Sequence, residues 1–160
     1  MIFLIKKYLE YLEYLELIKE NTKRDMETAI TVYKGELRTE ALHVRSGNKI
    51  TTDAPPDNKG KGEYFSPTDL LATSLGSCIF TIMGIAAREH GFSIDGASCK
   101  IKKIMAENPR RVGEIQIEFD LTGYEFSDKQ KKILDYCVRT CPVALSLNES
   151  LKQNVKLNFR

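Results

Sequence analysis

Four cysteines carry most of the chemistry this chain could perform: Cys78, Cys99, Cys137 and Cys141. A thiol reacts as its thiolate, so its surroundings decide whether it is a nucleophile or a small apolar side chain. Cys78 lies inside "FSPTDLLATSLGSCIFTIMG", residues 65–84, a run made almost entirely of apolar and small residues. Cys141 comes sixty-three positions later, directly before Pro142, where a helical pattern has to stop. Cys137 is four residues before Cys141 and falls on the same helix face. Spacing alone does not bring Cys78 and Cys141 together. Buried packing and redox chemistry both remain open for them at this point. Cys99 stands in a strand pattern beside Lys100 and reads as packing.

Other chemistries find less support. There is no Cys-x-x-Cys pair, and the two histidines, His43 and His90, are isolated, so the thiols do not read as a metal site. His90 reads as a favourable charge near a helix end. No Ser-His-Asp order, phosphate-binding glycine loop or zinc-protease motif is present. A reactive Cys78 would need a cation close by. Its helix starts about three turns earlier, and the helix dipole fades within the first turn. Arg38, Arg45, Lys59, Lys61 and Arg139 are the candidates, and spacing does not choose among them.

The elements that must position these residues are legible from pattern. Runs of β-formers broken at Gly35 and at "SGN" predict an antiparallel meander of two or three strands. "PPDNKGKGEYF" is a loop. Ser66, Pro67 and Asp69 open a helix with a capping box, and it can run to about His90, with Gly91 as its stop. This helix is apolar on every side, which predicts a central, buried position. Two strands follow, separated by the turn "NPRR". In the second, Ile115, Ile117, Phe119 and Leu121 alternate with polar residues, the mark of a sheet with one wet face. Ser127 and Gln130 open a second capped helix, Pro142 ends it, and "VALSLNESL" gives a short final helix. Val155, Leu157 and Phe159 alternate in a last strand. Strands and helices are segregated, so the class is α+β.

The chain's 160 residues suit one domain with a substantial core. A net charge of +2, from 24 basic and 22 acidic residues, gives no electrostatic case for nucleic acid or an anionic membrane. The expected setting is the cytoplasm, with the thiols reduced at rest. Residues 1–25, with Tyr-Leu-Glu three times over, read as an N-terminal helical extension. Its two-in-three apolar pattern points to packing on a partner or a second copy, or else to an appendage outside the core. Ile2 to Ile5 is too short for a signal core or a membrane span.

"DAPPDNKGKGEYFSPTDLLATSLGSC", followed far downstream by "CPVALSL", resembles the OsmC/organic hydroperoxide resistance family, in its OsmC-like branch. The resemblance covers roughly Thr28 to Phe159 and makes residues 26–160 an OsmC-like domain. It implies an α+β fold with antiparallel sheets around a long central helix, assembled as an intertwined homodimer with active sites at the subunit interface. It implies thiol-dependent reduction of organic hydroperoxides. Cys78 would be the peroxidatic and Cys141 the resolving residue, with an external dithiol as reductant and no cofactor or metal. The family's peroxidases carry a glutamate ten positions before the first cysteine, where this chain has Thr68, with Asp69 adjacent. They also place an arginine in the loop before the helix, where this chain offers lysines such as Lys61; Arg45 is a more distant candidate. Thr68, Asp69, Arg45 and Lys61 are therefore candidate supporting residues. The alternative is a non-catalytic dimer of the same fold that binds a small apolar ligand at its interface.

Overall fold

The structure, a computed structural model, describes residues 27–159. The proposed helical extension at 1–25 lies outside the described residues. The chain divides into two compact units, one ending at Tyr64 and the other beginning at Phe65.

The first unit is an antiparallel three-stranded sheet, β1 (Ala29–Gly35), β2 (Arg38–His43) and β3 (Lys49–Asp53), in that order. It is the meander predicted from the broken β-runs. The β1–β2 turn is tight, with Gly35, Glu36 and Leu37 all at positive φ. After β3 the chain makes one 3-10 turn, Pro56–Asn58, and folds back so closely that Gly60 admits no side chain. A Cβ there would lie 1.7 Å from the Ala54 carbonyl oxygen. Inside this unit Arg38 forms a two-pronged pair with the buried Asp53. Nε and Nη2 donate to the two carboxylate oxygens at 2.7 Å each, and Asp53 is 2% exposed. Arg38 also bonds Glu63 and lies over the Tyr64 ring, 4.7 Å from its centre. The Arg38 guanidinium holds the Asp53 carboxyl below its ordinary range, against the opposing effect of burial. A depressed carboxylate stabilises the fold above the unfolded-state value of about 3.9, and this contribution is lost as pH falls through the folded value. Asp53→Asn should therefore lower the melting temperature at pH 7. The gap to the native protein should close as melts are repeated below about pH 4.

The second unit holds the core. Helix α1 (Pro67–Glu89) packs one face on a sheet of β4 (Ser98–Ala106), β5 (Arg111–Asp120) and β6 (Lys152–Asn158). The β4–β5 pair is antiparallel and β6 joins β5 in parallel. Helices α2 (Asp128–Thr140) and α3 (Pro142–Ser146) connect β5 to β6. The alternation read in β5 is realised: Ile115, Ile117, Phe119 and Leu121 are fully buried. They meet Leu75, Ile79 and Met83 of α1, also fully buried. Phe119 packs edge-on against Phe80 of α1, with ring centres 4.6 Å apart. Gly76 lets α1 come down on β4, since a Cβ there would sit 2.7 Å from the tip of Ile101.

Both capping boxes form as predicted, at Ser66/Asp69 and Ser127/Gln130. Ser66 is 2% exposed, and its Oγ accepts from the Asp69 amide at 3.1 Å. Ser66→Ala should cost about 1 kcal/mol, readable in a denaturant titration. The helix ends as expected, with His90 at the cap and Gly91 at φ +70°.

Two expectations change. The second sheet is not wholly antiparallel, because α2 and α3 carry the chain back across it and bring β6 in parallel to β5. The helix predicted to be buried on every side is buried on one. Ala72, Leu75, Gly76, Ile79, Met83 and Ala87 form its inner face, while Leu71 and Ile85 stay 37% and 50% exposed. A single three-stranded sheet covers only one side of a helix, and sequence periodicity cannot say what covers the rest. By length and composition α1 could cross a membrane, yet here its Leu75–Ile79–Met83 face forms the centre of a protein core.

Candidate functional site

The fold brings Cys78 and Cys141 together. Cys78 lies on α1 at the margin of its buried face and is half-buried. Cys141 is the joint between α2 and α3: Pro142 disfavours helical backbone at the residue before it, and Cys141 is extended at φ −61°, ψ 125°. Its carbonyl then accepts from the Leu145 amide at 3.0 Å to start α3. Gln153 of β6 donates to the Ala144 carbonyl at 2.9 Å and fixes α3 against the sheet. The Cys141 side chain is fully buried in the core against which Cys78 packs. Burial pushes the Cys141 thiol up, and the neighbouring Cys78 pushes it the same way. The Val143 and Ala144 amides oppose them without reversing the direction. Cys141 is thus held as the neutral thiol, a poor first nucleophile. All four cysteines are free. Cys137, one turn before Cys141, is buried, and burial raises it too. Cys99 packs beside Gly76 under α1, and burial likewise raises its thiol. Among the described residues no group of three or more His, Cys, Asp or Glu side chains is arranged to hold a metal ion.

Two of the supporting candidates share the helix that carries Cys78. Thr68 and Asp69 stand in the first turn of α1. Ten residues of helix put Thr68 about 15 Å from Cys78 along the same axis. Both are engaged by Lys103 of β4, whose Nζ lies 2.8 Å from Thr68 Oγ1 and 2.7 Å from an Asp69 oxygen. Burial alone would raise the Asp69 carboxyl, but Lys103 and Ser66 together hold it below its ordinary value. Lys103 was not singled out from sequence. The signal was there in the strand alternation, because 99, 101 and 103 share the half-buried side of β4 while 98, 100 and 102 are exposed. In the first unit, Lys61 pairs with Glu36 at 2.7 Å, and Arg45 stands in the exposed turn after β2. Lys59 takes a left-handed conformation after the 3-10 turn. Arg38 is the most firmly held of the cations named from sequence. Arg139 pairs with Asp135 along α2.

An α+β chain with two three-stranded sheets, a long capped helix and two remote thiols in contact defines a class, and comparison places it. Residues 60–156 match the model of the OsmC-like protein family, and the chain belongs to that family. It is 49% identical to an osmotic stress induced and detoxification response protein of Psychrobacter arcticus, with a TM-score of 0.79 over 83% of this chain and 96% of that one. An OsmC-like protein of Mycoplasma pneumoniae shares the fold at 22% identity and a TM-score of 0.68, covering 84% of this chain and 98% of that one. So does an organic hydroperoxide resistance protein of Legionella pneumophila at 12% identity and 0.62, covering 83% and 98%. No curated protein matches the chain.

Proposed function

We propose that this protein is a thiol-dependent reductase of organic hydroperoxides that cycles through a Cys78–Cys141 disulfide. The observation that carries the reading is the proximity of these two thiols, which the sequence separates by more than sixty residues. Family membership and the hydroperoxide resistance relatives support it. The Cys78 thiolate attacks the terminal peroxide oxygen, the O–O bond breaks, and the alkoxide leaves with a proton as the alcohol. Cys78 becomes a sulfenic acid. The Cys141 sulfur then displaces water from it, forming the disulfide and releasing its own proton to the departing hydroxide. An external dithiol takes the disulfide's place by exchange, returning two thiols and leaving oxidised as its own disulfide. The asymmetry of the pair suits these roles: Cys141 is buried and protonated at rest, whereas Cys78 is partly open to a substrate.

The working form we propose is a homodimer in the cytoplasm. Each unit leaves apolar surface that a second copy would cover. Ile30, Val32 and Ile50 of the first sheet are each more than half exposed, as Ile85 of α1 is half exposed. Gly84 has open space where a side chain would point. Addition of tert-butyl hydroperoxide and a dithiol to the purified protein tests the catalytic reading: peroxide should disappear in multiple turnovers. Unchanged peroxide beside intact thiols would favour the ligand-binding dimer instead.

A further inference from the structure

Gln153 breaks a pattern. Along β6 and the residue after it, positions 153, 155, 157 and 159 share one side by strand alternation. Val155, Leu157 and Phe159 pack there against the core. Gln153 stands opposite the fully buried Ile115 in the β5–β6 ladder, where the series calls for one more apolar side chain. Its amide instead leaves the sheet, and Nε2 donates to the Ala144 carbonyl of α3 at 2.9 Å.

Helix α3 needs such a tether. It has five residues, none of them buried, and Leu145 is 72% exposed. A helix this short is not stable by itself, and its last carbonyls find no partner along its own backbone. Val143 and Ala144 lean only partly on the core. Among the described residues, the Gln153 bond is the one side-chain hydrogen bond that ties α3 to another element; the bond from Ser146 to the Pro142 carbonyl stays within the helix. Cys141 is the N-cap of this same helix, so the Cys141 sulfur goes where α3 goes.

We propose that Gln153 is a positioning residue for the resolving step: by seating α3 on the sheet it keeps the Cys141 sulfur beside Cys78. The role rests on the hydroperoxide reading above, in which the Cys78 sulfenic acid has two fates. The Cys141 sulfur displaces water from it and closes the disulfide. Alternatively, a second hydroperoxide transfers one oxygen to it, giving the sulfinic acid and another molecule of alcohol. The first route is intramolecular, and its rate scales with the share of time Cys141 is in place. The second scales with peroxide concentration. Loosening α3 therefore diverts Cys78 to the sulfinic acid without slowing its first attack.

Two substitutions at this exposed side chain test the role in the full-length protein. Q153M keeps the length and removes the donor, and Q153K puts a donor back. With excess tert-butyl hydroperoxide, the ratio of sulfinic acid to disulfide at Cys78, read by peptide mass, should rise about fivefold in Q153M, as expected for one lost neutral hydrogen bond. It should return to the native ratio in Q153K, and the first equivalent of alcohol should form at the native rate in both. Dithiodipyridine reads the same seat without peroxide. Cys78 takes up a thiopyridyl group and releases one thiopyridone, and the Cys141 sulfur then displaces the second as the disulfide closes. Q153M should slow the second release about fivefold and leave the first unchanged, with Q153K again native. Unchanged partition and unchanged second release in Q153M would overturn the proposal. So would equal slowing of both steps, the mark of a general loosening of the fold, or Q153K behaving as Q153M does. A protein inert to peroxide whose second thiopyridone release still depends on the Gln153 donor would uphold the positioning role and lose the proposed activity. One that turns over peroxide with both readouts indifferent to Gln153 would do the reverse.

Discussion

Cys78→Ser should abolish the consumption of tert-butyl hydroperoxide, while Cys141→Ser should leave the first reduction and remove the cycle. The distinction follows from where each sulfur sits. Cys78 is half-buried on α1, at the margin of its packed face, and a peroxide can approach it. Cys141 is fully buried, and the two largest effects on its ionisation, burial and the neighbouring Cys78, both keep its proton on. Serine at 78 has no comparable nucleophile at neutral pH, so nothing attacks the peroxide bond. Serine at 141 leaves the attacking group intact but supplies no sulfur to condense with the sulfenic acid. One equivalent of alcohol should form per chain, a sulfenic acid should be trapped by dimedone, and excess peroxide should drive Cys78 on to the sulfinic state. Alcohol yield against peroxide added, with mass analysis of the Cys78 peptide, reads each step. Equal loss of the first reduction in both variants would mean that Cys141 does more than resolve. Cys137→Ser serves as the comparison, since that thiol is buried one turn away and the cycle does not call on it.

Phe119→Ala should be the most damaging single change to the fold, at about 4 kcal/mol. Phe119 is fully buried near the C-terminal end of β5 and is the largest fully buried side chain among the described residues. It packs edge-on against Phe80, two residues beyond Cys78, so its loss opens a cavity beneath the part of α1 that carries Cys78. For a chain of this size the melting temperature should fall by roughly 10 °C. Peroxide turnover at 25 °C should fall as well if the thiol contact depends on how α1 is seated. Phe119→Leu, which refills much of the volume, should recover most of both.

The sequence announced the second unit with unusual clarity, because its signals are local. The capping boxes at Ser66 and Ser127, the glycine after His90 and the strict alternation of β5 are each set by neighbours a few residues apart. The β1–β3 meander was legible for the same reason. What pattern could not give was long-range pairing. The parallel contact of β6 with β5 depends on α2 and α3 carrying the chain back across the sheet. The meeting of Cys78 with Cys141 depends on the same crossover, and only the family resemblance pointed to it. Lys103 escaped because three lysines within four residues of β4 look alike until strand alternation turns one of them toward Thr68 and Asp69. The exposure of one side of α1 escaped because an all-apolar helix fixes what must be covered without fixing what covers it.

The central claim is that two thiols distant in sequence form one redox centre, and peptide mapping after a single equivalent of alkyl hydroperoxide tests it most directly. The reduced protein, oxidised, alkylated and digested without reductant, should yield one new cross-linked species joining the peptides of Cys78 and Cys141. Cys99 and Cys137 should be recovered alkylated. Recovery of Cys78 and Cys141 both alkylated, or of a bond that pairs Cys78 with some other cysteine, would contradict the account.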